Sequence, residues 1–146
     1  MLRRATAVVI GLMVGVLLVA VIEAASVVMY PPPPGADLSD DQVLQEFFRS
    51  RPTGALLVVL AAYAVGSFGA AVTAASISED QPRRPALTVG SLLLIAGILN
   101  LLQRPYPFWF AATSMLVYLP CAWLGGMLVE WWRGAPNGVE AIDSDD

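Results

Sequence analysis

The chain has no histidine, no lysine and a single cysteine, Cys121. Without histidine it lacks the commonest general base and metal ligand at neutral pH. One cysteine makes neither an internal disulfide nor a paired thiolate metal site. Charge is scarce as well: 14% of the 146 residues are charged, against 57% hydrophobic. Soluble chains reach roughly 45–50% apolar even with glycine counted, so there is too little polar material here to coat a soluble domain. The net charge of −4 comes largely from the C-terminal tail, which argues against a nucleic-acid partner. Phosphate-binding and dinucleotide-binding glycine motifs are missing. Ser114 lies in no GxSxG elbow, and the loop acids lack EF-hand spacing. These absences predict a protein that is not an enzyme and has no cofactor and no metal site.

What is present is apolar sequence in long runs. Four stand out, over residues 5–30, 55–77, 86–102 and 108–132. A bilayer core about 30 Å thick takes about 20 helical residues. Three runs exceed that length and the third meets the lower bound of about 17. The expected fold is all-α, a bundle of four transmembrane helices over residues 1–133, with a disordered acidic tail at 134–146. Arg3 and Arg4 before the first run raise the alternative of a signal peptide. A signal core is only about 7–15 residues, and this run is longer, so a retained span is expected.

Arginines set the expected orientation. With the N-terminus in the cytoplasm, Arg3, Arg4, Arg83, Arg84 and Arg133 lie inside, and Arg49, Arg51 and Arg104 outside. That excess favours both termini inside, on the cytoplasmic face of a membrane. Tyr30, Tyr106, Phe108, Trp109 and Phe110 suit the outer interface, and Trp131 and Trp132 the inner one.

The one long connection covers residues 31–53. PPPPG ends the first span in extended geometry. LSDDQVLQEFFRSRP then predicts a short amphipathic helix, with Ser39 and Gln42 as a capping box and Pro52 as its stop. Val43, Leu44, Phe47 and Phe48 share one face. That face either meets the membrane surface or caps the bundle, or it packs on the protein as an ordinary loop helix.

Small residues mark helix contacts. Gly11 and Gly15 form a GxxxG in the first span, and Ile22 and Ser26 continue its face. In the second span Ala62, Gly66, Gly69, Thr73 and Ser76 form a stripe. Gly90 and Gly97 lie in the third span, and Gly125 and Gly126 in the fourth. Such residues let backbones approach closely, either within the bundle or in a homo-oligomer. Pro120, inside the fourth span, predicts a bend.

Glu23 is the one ionisable acid or base well inside the apolar runs. It lies about 10 Å below the outer end of its helix at 1.5 Å per residue. A carboxylate at a helix centre costs about 2.5–3.5 kcal/mol on insertion scales, so Glu23 should face other helices and find polar company. Tyr63 and Tyr118 fall about 13–15 Å below their outer ends, and Asn100 lies near the outer end of the third span. Glu23, Tyr63, Asn100 and Tyr118 therefore form a candidate intramembrane cluster, with Arg104 as its lid. It reads either as a proton- or cation-linked site or as an interhelical hydrogen-bond clamp.

YPPPPGADLSDD, PTGALLVVLAAYAVGSFGAAVTA, TVGSLLLIAGILNLLQRPYPFWF and YLPCAWLG together resemble a family of small four-helix bacterial membrane proteins with no assigned function. The resemblance covers about Val8 to Trp132 and implies a shared fold and location, with no activity. Members often carry a histidine between the two prolines of the third turn, where this chain has Tyr106. Small multidrug resistance transporters are also similar in having four helices with one acid in the first. Their loops are shorter and their acid is nearer mid-membrane. The expected role is that of a packing protein in the lipid bilayer, acting as an oligomer or as the accessory subunit of a membrane partner. The alternative is a small proton- or cation-coupled transporter with Glu23 as carrier.

Overall fold

Prolines punctuate this chain. Pro52 and Pro82 each stand immediately before a long helix, and Pro107 precedes another. Proline has no N–H to satisfy at a helix start, so it costs nothing there. The computed structural model describes residues 2–35, 37, 39–78, 81–104 and 106–134. Its helices are α1 (Leu2–Met29), α2 (Asp41–Arg49), α3 (Thr53–Ile77), α4 (Arg83–Gln103) and α5 (Phe108–Gly134). All but α2 are long and apolar enough to cross a membrane. The acidic tail expected to be disordered lies outside the described residues.

The spans run slightly longer than the apolar runs predict. α1 starts at Leu2 rather than Ala5, because Arg3 and Arg4 continue the helix with their charged heads in reach of water. α4 starts at Arg83 rather than Ala86. Pro85 is tolerated there because N–H groups of the first turn have no intrahelical partner to lose. The extra turn brings α4 to 21 residues, about 32 Å, so the shortest span is still long enough to cross a bilayer.

α3 is the central helix. It touches α1, α4 and α5, whereas α1 and α5 do not touch each other. The four spans thus form a rhombus in cross-section, with α3 and α4 on the short diagonal. Half of the most apolar window of α3 is buried, against 17% of that of α1, so α1 is the peripheral member. Its closest approach is to α3 through the GxxxG. A Cβ on Gly15 would stand 2.7 Å from the Ala70 Cβ and 3.0 Å from the Gly66 carbonyl oxygen. One on Gly11 would stand 2.7 Å from the Ala70 carbonyl oxygen. Across the seam, Gly66 packs under Val19 and Gly69 under Leu18. Gly90 receives Ala122, and Gly97 receives the ring of Tyr118. Each of these glycines therefore faces a neighbouring helix of the same chain. On α3 the buried seam is Ala62, Gly66, Ala70 and Ala74. The expected stripe through Thr73 and Ser76 leaves it after Gly66, because the seam repeats every four residues and the stripe about every 3.5, so the two rotate apart along the helix.

The two ends are closed differently. At the end holding the α1 N-terminus, the Arg133 guanidinium donates to the carbonyls of Ser78 and Ser76, the latter at 2.7 Å. It thereby caps the C-terminus of α3, where carbonyls lack helical partners. Arg83 pairs with Glu130 at 2.6 Å and ties α4 to α5.

At the other end lies α2. Its N-cap is Asp40, not Ser39: the Asp40 carboxylate accepts from the Gln42 N–H at 2.8 Å. Ser39 instead donates its N–H to Asp37. The carboxylate one position nearer the helix reaches the orphan amide first. The apolar face of α2 is turned onto the protein. Phe48 is buried and meets Tyr106 edge-on at 5.5 Å. Arg104 stacks on the Phe48 ring at 4.8 Å, with Arg51 over the same ring at 5.6 Å. The short helix thus caps the turn between α4 and α5. Gly35, with φ of +81°, ends the polyproline stretch in a backbone conformation that glycine adopts without strain. Tyr30 closes this end by packing its hydroxyl on Gly54.

Candidate functional site

Helix direction explains why polar groups from four spans meet. Every Cα–Cβ bond tilts toward the N-terminus of its helix. α3 and α5 run away from the α2 end, so Tyr63 and Tyr118 lean back toward it. α1 and α4 run toward the α2 end, so Glu23 and Asn100 lean away from it. Residues whose backbones differ in depth therefore converge on one level.

They line one cavity of about 250 Å³ between α1 and α4, the pair of touching spans in least contact. Glu23, Tyr63, Asn100, Tyr118 and Arg104 all face it. Asn100 Nδ2 donates to the Tyr63 hydroxyl at 3.2 Å. The tyrosine hydroxyl both accepts and donates, so this leaves its own proton for another acceptor. The rings of Tyr63 and Tyr118 stack at 5.4 Å with an interplanar angle of 25°, and Phe110 buttresses Tyr63 at 6.2 Å. Both tyrosines are buried; Glu23, Asn100 and Arg104 are half-buried.

Among the described residues neither Glu23 nor Arg104 has an ion-pair partner. The Arg104 Cζ stands 4.8 Å from the Phe48 ring centroid, a contact that uses the face of the ring and none of the N–H donors of the guanidinium in hydrogen bonding. The site thus offers an acceptor-only carboxylate, a donor-only guanidinium, an amide and two phenols at the mouth of an apolar pocket. No three His, Cys, Asp or Glu side chains gather as metal ligands among the described residues.

Three contributors are not legible from depth alone. The apolar wall of Val16, Ala20, Leu93 and Ala96 is ordinary span sequence and carries no signal. Phe48 lies in the loop and reaches the site only by holding Arg104. Ser67 donates to the Tyr118 carbonyl at 2.7 Å, one turn into α5 from Ser114 and two residues before Pro120. It fixes the height of Tyr118 against α3. Ser26 and Ser114 are fully buried, and their hydroxyls have no hydrogen-bond partner.

Comparison with family models, with curated proteins and with solved structures finds no match to this chain. No family is identified, and the chemistry of the cavity has to be read from its own residues.

Proposed function

We propose that this four-span membrane protein is a small proton- or cation-linked binding or transport protein, and that Glu23 is its ionisable group. The observation that supports the reading is the convergence of Glu23, Tyr63, Asn100, Tyr118 and Arg104 on one cavity, with no ion pair satisfying the carboxylate. A carboxylate within a span is expensive. One left unpaired in a cavity is suited to taking up a proton or a cation. The groups around it are Tyr63 from α3, Asn100 and Arg104 from α4, and Tyr118 from α5. None of these is a general base backed by a nucleophile, so the role proposed is non-enzymatic. The arginine distribution supports both termini inside, and the family resemblance implies a bacterial cytoplasmic membrane.

Reconstituted liposomes test this. With a pH gradient imposed, the wild-type protein should dissipate it on addition of monovalent cations or primary amines, and Glu23→Gln should behave as empty liposomes do. Undiminished flux through a folded Glu23→Gln protein would overturn the reading.

A second reading, an accessory subunit, draws on the breadth of the apolar face that α1 leaves uncovered. Met13, Leu17 and Val28 are 66%, 63% and 81% exposed. Purification in mild detergent should then bring down a stoichiometric membrane partner, and a monodisperse single chain would count against it.

A further inference from the structure

From the order of groups along the cavity we infer that its ligand is a small zwitterion with an apolar side group, of the class of the apolar α-amino acids. The inference rests on the reading of Glu23 as the ligand-linked group. α1 and α4 run parallel, and the Asn100–Tyr63 bond places Asn100 level with the tyrosine hydroxyl. The α1–α3 seam, from Gly15 on Gly66 to Tyr30 on Gly54, sets Glu23 at that same level. Arg104 lies four residues beyond Asn100, about 6 Å nearer the α2 end. Below Glu23 the cavity is walled by Val16, Ala20, Leu93 and Ala96. Read from the α2 end along the helix axes, the site therefore presents a cation, then a carboxylate with an amide, then an apolar floor beside stacked aromatic rings.

A simple cation at Glu23 would sit close to an unneutralised guanidinium, and a simple anion at Arg104 would face an unneutralised carboxylate. A zwitterion answers both. Its carboxylate reaches the Arg104 guanidinium, its ammonium reaches Glu23, and its side group fills the floor. Size agrees with this. About 250 Å³ falls just below the usual ligand-pocket range of roughly 300–1,000 Å³, which suits one small molecule. Phe48 is a positioning residue, since it holds the Arg104 guanidinium in place without meeting the ligand.

The test is calorimetric titration of the full chain in lipid nanodiscs. The probes are L-phenylalanine, L-leucine, glycine, phenethylamine and 3-phenylpropionate, run against wild type, Glu23→Gln and Arg104→Gln. Saturable binding of the two apolar amino acids is expected. Glycine, the amine and the acid should each bind at least tenfold more weakly, and each variant should lose at least tenfold for L-phenylalanine. Thermal melting without ligand checks that the variants are folded, and Glu23→Asp and Arg104→Lys replace any that are not. Phenethylamine binding as tightly as L-phenylalanine, with dependence on Glu23 and indifference to Arg104, would overturn the zwitterion and leave the cation-linked reading standing. Saturable binding of neither L-phenylalanine nor phenethylamine would overturn the zwitterion, and the liposome flux measurement would then decide the cation-linked reading by itself. Amino-acid binding unaffected by either variant would place the ligand elsewhere and overturn the inference.

Discussion

The two halves of the bundle are built from side chains of different size. Toward the α1 N-terminus the contacts are among Gly11, Ala70, Ala74, Ala71, Ala86, Ala122, Gly125 and Gly126. Toward α2 they are among Leu56, Val59, Tyr63, Leu93, Phe110 and Tyr118. Small residues let helix backbones close up and gain dispersion contact, the main attraction between helices in lipid. Aromatic side chains hold backbones apart. The cavity lies in the half with the larger side chains, between α1 and α4. The difference teaches that the site depends on packing at a distance from it: the glycine contacts hold α1 against α3, and so hold Glu23 toward the bundle.

The strongest way to break that contrast is to insert bulk into the glycine contacts. Gly15→Leu places a side chain against the Ala70 Cβ and the Gly66 carbonyl, both on a central helix that cannot yield. A loss of about 3 kcal/mol is expected, read as a lower melting temperature in detergent. Unchanged melting would mean that α1 is not clamped there. Next in size is Tyr118→Ala in the half that holds the cavity. It removes a buried ring that stacks on Tyr63 and fills the space over Gly97. The cost should be about 3 kcal/mol if the site cannot collapse, and less if α4 moves in. Cavity volume measured by xenon binding separates these cases.

Ser67→Ala sharpens the comparison at the join of the halves. It deletes a buried bond to the Tyr118 carbonyl, and helix–helix bonds in membranes average about 0.6 kcal/mol. A shift of that order in an unfolding titration with denaturing detergent is expected. A loss several-fold greater would show that the bond also supports the stretch of α5 whose backbone bonding Pro120 interrupts. The smallest effect belongs to Glu130→Gln. Its pair with Arg83 is 34% and 48% exposed, and exposed pairs contribute about 0.2–1 kcal/mol. Raising the salt concentration should erase the difference between wild type and variant.

How much of this is legible in the sequence follows from what is regular in a helix. Rise per residue is constant, so the spans and the depths of Glu23, Tyr63 and Tyr118 can be counted from the ends of the apolar runs. Rotation is not legible in helices that are apolar all round, because no polar face marks the outside. That is why the stripe through Thr73 and Ser76 drifts from the observed seam at Ala70 and Ala74, and why Ser67 carries no signal. Lateral order is not legible either: nothing in the chain states that α1 and α5 stay apart. α2 announces itself by its amphipathic pattern, yet its docking partner does not, because Phe48 meets the turn at Tyr106 and Arg104, far along the sequence.

The stacking of Phe48 on Arg104 has one more consequence. The loop that carries Phe48 leaves α1 just beyond Glu23 and returns to touch α4, so it spans the gap over which the cavity opens. Proline-rich segments are stiff, and a stiff connection carries displacement along its length. A movement of α1 against α4 that displaced α2 would alter the contact between Phe48 and the guanidinium. A fluorophore on Gln45, exposed on the outer side of α2, would report on a carboxylate that it never approaches.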